Sequence, residues 1–94
     1  MTRILVADDN RQLLEMLRAM LEDAGYDVVS ASSGLAASAL LDKEEVDLLI
    51  LDVLMPGMSG DAVADLLRRS RPDLPVLLMT GDSGESFVPG TAYP

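Results

Sequence analysis

The sequence predicts an open, doubly wound α/β sheet, and three observations carry that expectation. Apolar residues change period several times along the chain, from short continuous runs to helical stripes and back. The runs at 4–7 (ILVA), 46–51 (VDLLIL) and 74–79 (LPVLLM) lack regular polar alternation, as strands do when helices cover both faces of their sheet. The stretches between successive strands are long enough for helical crossovers, which implies parallel pairing through right-handed connections.

The elements follow in order. Residues 4–7 form a strand buried on both faces. From Arg11 to Ala24 the apolar positions Leu13, Leu14, Leu17, Met20, Leu21 and Ala24 draw one stripe on a helix. Asp9 or Asn10 caps its start, with Gln12 placed as a capping-box partner of Asp9, and Gly25 ends it in a left-handed conformation. Residues 27–31 (DVVSA) make a weaker strand on β-branched Val28 and Val29. Ser33 caps a second helix to about Leu41, with Leu35, Ala36, Ala39 and Leu40 inward. Residues 46–51 are the third strand. A third helix opens at Ser59 or Gly60, turns Ala62, Val63, Leu66 and Leu67 inward, and closes at Pro72 behind Arg68, Arg69 and Arg71, whose charge suits its carboxyl end. Residues 74–79 are the fourth strand. Beyond Thr80 the pattern stops, and 81–94 (GDSGESFVPGTAYP) reads as loop or tail with one helical turn near Glu85.

Composition narrows the functions. The chain has 94 residues, enough for one small domain, and 49% are hydrophobic, too many for a disordered chain. Only 3% are aromatic, so the core is aliphatic, with the six methionines filling gaps in it. Seven basic residues against sixteen acidic ones argue against nucleic acid or an anionic membrane as a direct partner, and favour a cation or a basic protein surface. The absence of cysteine and histidine excludes disulfides, thiolate metal sites and Cys or His catalysis. No run reaches transmembrane length and no signal peptide is visible, so a cytoplasmic location is the default expectation.

Ligands of open α/β sheets gather at the carboxyl ends of the strands. There the first strand ends in Asp8 and Asp9, the third in Asp52, and the fourth in Thr80. If those strands are neighbours, three acids and a hydroxyl converge. Two unit charges ~4 Å apart repel by roughly 1 kcal/mol in water and roughly 4 kcal/mol at an effective dielectric near 20. Such a cluster holds a proton or recruits a cation, and an all-oxygen ligand set favours Mg²⁺, Mn²⁺ or Ca²⁺. Few carboxylates plus waters suit Mg²⁺ better than a calcium cage. An ion there would bring a phosphate-bearing substrate against an acid, and Asp52, alone on the central strand, is the nucleophile candidate. The plainer reading makes these acids helix caps at strand-to-helix turns. Pro56-Gly57 fits the centre of a type II turn, and Thr80 by itself is an ordinary strand-end residue.

The segments ILVADDN (4–10), LLILDVLMPGMSG (48–60) and VLLMTG (76–81), in this order and spacing, resemble the receiver domain of two-component response regulators. The resemblance implies a flavodoxin-like sheet in strand order 2-1-3-4. It implies Mg²⁺ (Mn²⁺ as a substitute) bound by Asp8, Asp9 and Asp52 and by the backbone carbonyl of Leu54. It also implies phosphorylation of Asp52 by a histidine kinase or phosphotransfer protein, and a hydrogen bond from Thr80 to the phosphoryl group that serves as a switch. Such a module is a phosphoacceptor rather than an enzyme, although receivers promote their own phosphorylation and dephosphorylation.

The resemblance stops near residue 81. Receivers continue through a fourth helix, a fifth strand ending in lysine and proline, and a fifth helix, whereas the one lysine here is Lys43. If Tyr93 matches the aromatic residue before that lysine, the string GTAYP stops just short of it. The expectation is therefore a receiver core at 1–80 and a loop or tail at 81–94, in a truncated or degenerate receiver. An exposed strand-four edge and an uncovered helix face then predict self-association. The competing function is a receiver-like interaction or dimerisation module that does not switch. A third, an aspartyl-phosphate hydrolase, is disfavoured because such enzymes carry a second acid two residues beyond the nucleophile, where this chain has Leu54.

Overall fold

A computed structural model of the chain describes residues 2–52, 54–56, 62, 66, 73–79 and 87–88. The strands are β1 (Arg3–Ala7), β2 (Asp27–Ala31), β3 (Leu48–Asp52), β4 (Val76–Met79) and β5 (Phe87–Val88). The helices with defined bounds are α1 (Arg11–Asp23) and α2 (Gly34–Lys43). Ala62 and Leu66 are also helical, and Leu66 is buried, where the sequence predicts the third helix. Its expected opening at Ser59 or Gly60, its inward Val63 and Leu67, and its arginine-rich end lie outside the described residues.

The sheet order is β2-β1-β3-β4-β5. The first four strands are parallel, with Ile4 opposite both Val28 and Leu48, and Leu51 opposite both Ala7 and Leu78. This is the expected 2-1-3-4 order. Alternate residues of each strand face opposite layers. Leu5, Ala7, Leu49, Leu51 and Val76 pack with Ala37 of α2 and Leu66 on one side. Ile4, Val6, Val28 and Ile50 pack with Leu14 of α1 on the other. Burying one such aliphatic side chain is worth about 1.5–3 kcal/mol, so these two layers supply most of the driving force.

Local chemistry sets the helix ends. The Asn10 side chain accepts from the Leu13 N–H and caps α1, so Asn10 rather than Asp9 holds that position. Asp9 precedes the cap and remains exposed. Gly25 adopts φ +100 just beyond α1, the conformation that an L side chain resists. The Ser33 hydroxyl accepts from the Ala36 N–H and caps α2, and Lys43 stands in the last turn of that helix. Leu35 and Ala39, expected inward, are instead exposed, because the buried position of α2 is Ala37.

The reading of 81–94 as loop or tail needs one correction. Phe87 and Val88 form β5, antiparallel to β4, with Val88 opposite Leu78 and Phe87 opposite Met79. The edge of β4 is thus not open at these two residues. The unpaired edge of an apolar strand supplies the partner groups for their backbone. The expected turn near Glu85 lies outside the described residues.

Candidate functional site

The register of β1 and β3 builds the site. Ala7 pairs with Leu51, so the next residues, Asp8 and Asp52, emerge side by side from adjacent strands at their carboxyl ends. Asp8 is further fixed by its own N–H, which donates to the Ala31 carbonyl at 3.0 Å. Asp8, Asp9 and Asp52 each present a carboxylate oxygen, and these oxygens lie within 4.8 Å of one another. Asp8 and Asp52 are 3% and 7% exposed, which leaves Asp9 as the member open to solvent.

Each buried carboxylate is held by the backbone two residues on. The Asn10 N–H donates to Asp8 Oδ1 at 2.8 Å, and the Leu54 N–H donates to Asp52 Oδ1 at 2.9 Å. Both are Asx turns, in which an aspartate bonds its own chain as the strand gives way to a loop. Sequence reasoning named Leu54 for its carbonyl and Asn10 as a cap, and missed the N–H of both. The signal was present: an aspartate at a strand end, two residues before a turning backbone.

Burial pushes the Asp8 carboxyl above its ordinary range. The Asn10 N–H opposes that shift, while Asp52 raises it through both charge and a shared hydrogen bond, and Asp9 adds a smaller push. Among the described residues no basic side chain pairs with any of the three acids; the ion pairs join Arg3 to Asp27 and Glu44, and Arg18 to Glu22. Two desolvated carboxylates and a third at the rim, with no counter-charge, fit a hard divalent cation with oxygen ligands. Thr80 follows Met79, which pairs with Asp52, but Thr80 itself lies outside the described residues. Leu54 lies in the turn after β3 with its side chain exposed, and Gly57 of the expected type II turn is outside the described set.

Comparison with known proteins places this geometry. The model of the response regulator receiver domain matches residues 4–90. The chain is 37% identical over 83 residues to the alkaline phosphatase synthesis transcriptional regulatory protein PhoP of Bacillus subtilis, covering 88% of this chain and 35% of that protein. It is 42% identical over 89 residues to the response regulator MprA of Mycobacterium avium, covering 94% of this chain and 39% of the relative. The chain therefore spans little more than a third of these relatives. Among solved structures, the response regulator TrrA of Thermotoga maritima in complex with Mg²⁺–BeF aligns with TM-score 0.70 and 37% identity, over 83% of this chain and 66% of that one. A structure of histidine kinase ThkA in complex with TrrA aligns with TM-score 0.77 and 38% identity, over 90% of this chain and 73% of that one. Its strand order, its strand-end acids and its relatives agree: the chain belongs to the receiver domains of two-component response regulators.

Proposed function

We propose that Asp52 accepts a phosphoryl group from the phosphohistidine of a sensor kinase or phosphotransfer protein, in the cytoplasm and with Mg²⁺ (or Mn²⁺). The observation that carries this reading is the convergence of the Asp8, Asp9 and Asp52 oxygens within 4.8 Å. The kinase complex and the Mg²⁺–BeF complex of TrrA lend support by similarity.

Asp8, Asp9, Asp52 and the Leu54 carbonyl would hold the ion, whose positive charge offsets that of the phosphoryl oxygens as they approach. Asp52 is held at the rim of a rigid strand, with Oδ1 anchored by the Leu54 N–H. One of its oxygens attacks phosphorus, the P–N bond breaks, and its electron pair leaves on the imidazole nitrogen, which takes up a proton. The product is an acyl phosphate on Asp52. Thr80 donates a hydrogen bond to the transferred group. The phosphoacceptor core is residues 1–80, and 81–94 stands where further receiver elements would follow. The chain acts as a substrate of the kinase rather than as an enzyme in its own right.

Two half-covered surfaces support self-association as part of this function. Met16 and Met20, four residues apart on α1, are 54% and 61% exposed, and Leu48, Leu77 and Met79 are only partly buried on the same side of the sheet. The competing reading is an interaction module that does not switch on phosphorylation.

Incubation with acetyl phosphate and Mg²⁺, followed by intact-mass measurement, separates the two. The phosphoacceptor reading expects one phosphoryl adduct, absent from Asp52→Ala and absent with chelator. An unmodified chain, or an adduct that persists in Asp52→Ala, refutes it.

A further inference from the structure

β2 is one of the two outer strands of the sheet, and among the described residues nothing pairs with its free edge. Natural edges are guarded by lysine, proline, bulges or inward charge. β2 reads DVVSA, and its one charged residue, Asp27, is neutralised by Arg3 Nε at 2.7 Å. The edge therefore lacks its usual guard.

Above that edge runs a row of exposed charges on α1: Arg11, Glu15, Arg18 and Glu22. At 3.6 residues per turn these four share one face of the helix. The face looks toward β2, since Arg11, Glu15 and Arg18 line a groove with Ser30 and Ser32. The signs alternate, and the alternation is antisymmetric about a point between residues 16 and 17. Turned end for end, the row meets itself with Arg11 opposite Glu22 and Glu15 opposite Arg18. Arg18 already reaches Glu22 within its own helix at 3.2 Å, so a second copy would extend an existing pair into a network.

Helix and strand agree on where such an axis would fall. From Arg11 to the centre of the row is ~5.5 residues, or ~8 Å along the helix. That is about 2.5 residues along a strand. Counted back from Ser32, which shares the groove with Arg11, it reaches the level of Val29 and Ser30, the middle of β2. One two-fold axis thus serves both the edge and the row.

We propose that the outer edge of β2 and the Arg11–Glu15–Arg18–Glu22 row of α1 form one self-complementary surface that takes a second copy of this chain in antiparallel orientation. The two sheets join through β2 against β2, and the two α1 helices lie alongside above the seam. The contact is isologous, so it closes at a dimer. It lies on the opposite flank of α1 from Met16 and Met20, and stands or falls independently of phosphorylation at Asp52.

Sedimentation of three full-length variants tests it. Arg11→Glu with Arg18→Glu makes the row wholly acidic, and Glu15→Arg with Glu22→Arg makes it wholly basic. Each alone is expected to weaken dimerisation about tenfold or more. Mixing the two restores the dimer, and the variant carrying all four changes dimerises like the parent, with circular dichroism confirming the fold of each. A parent chain that stays monomeric at high micromolar concentration, dimers indifferent to both reversals, or a mixture and fourfold variant that fail to dimerise would each overturn the proposal.

Discussion

The Leu54 N–H donates to Asp52 Oδ1 at 2.9 Å, so the residue after next fixes the orientation of the acid on which the proposed chemistry depends. A hydrogen bond to a charged group is worth about 1.5–3 kcal/mol. Leu54→Pro removes the donor and is expected to slow phosphoryl uptake by about tenfold or more. Leu54→Ala keeps the N–H and is expected to stay within a few-fold of the parent rate. Rates of adduct formation with acetyl phosphate provide the check, and equal rates for the two variants would refute the role of the N–H.

Asp8 makes the metal-free protein sensitive to pH. Its carboxyl is pushed up by burial first, against the lowering effect of the Asn10 N–H, and then by Asp52 and Asp9. A group raised in the folded state stabilises the fold most below its unfolded value, near 3.8, and that contribution is lost as pH rises through the folded value. Asp8→Asn preserves an acceptor for the Asn10 N–H and removes the charge. The variant is expected to melt a few degrees above the parent at neutral pH without metal, for a gain on the order of 1 kcal/mol. The gap closes as pH falls toward 4. Thermal melts of both proteins across that window decide it; a constant gap would sink the assignment.

The proposed magnesium site can be tested through Asp9, its exposed member. Added Mg²⁺ is expected to raise the melting temperature of the parent chain, because an ion that binds only the folded state stabilises it by mass action. Asp9→Ala leaves the two buried acids in place and removes the exposed one, so the Mg²⁺-dependent rise should need about tenfold more metal. Melts over a Mg²⁺ titration read this directly.

Arg3 ties together the end of the sheet opposite the acids, where β1 begins. Its guanidinium pairs with Asp27 at the start of β2 and with Glu44 after α2, while its N–H and carbonyl both bond Asp47 ahead of β3. Arg3→Met is expected to lower the melting temperature, and the loss should shrink as salt screens the pairs it removes. A salt-independent loss would locate the effect in packing by the side-chain stem.

Leu49 is fully buried at the centre of the larger aliphatic layer. Leu49→Ala is expected to cost about 2–5 kcal/mol. For a domain this small that is most of its stability, and urea denaturation should show it.

Much of this was legible before any coordinates. The continuous runs ILVA and LLIL read as strands buried on both faces, and Gly25 and Ser33 marked helix ends by chemistry local to the turn. The choice between Asp9 and Asn10 as the cap was not legible, because both side chains carry an acceptor and their neighbours differ only in how the chain leaves β1. The β5 pair was missed because two residues have no period to detect, and their strand conformation depends on the β4 edge beside them.

The order of elements, the aliphatic core and the acids that end β1 and β3 were determined by the sequence alone, since periodicity, caps and strand ends are properties of neighbouring residues. The family resemblance implied that β1 lies between β2 and β3, but only the tertiary structure decided that Asp8 stands level with Asp52 and that one flank of α1 presents its charges above an unguarded edge. Those relations join residues that are distant in sequence, as Asp8 is from Asp52. They follow from strand register and helix rotation, which are set when the layers pack and which no local pattern encodes.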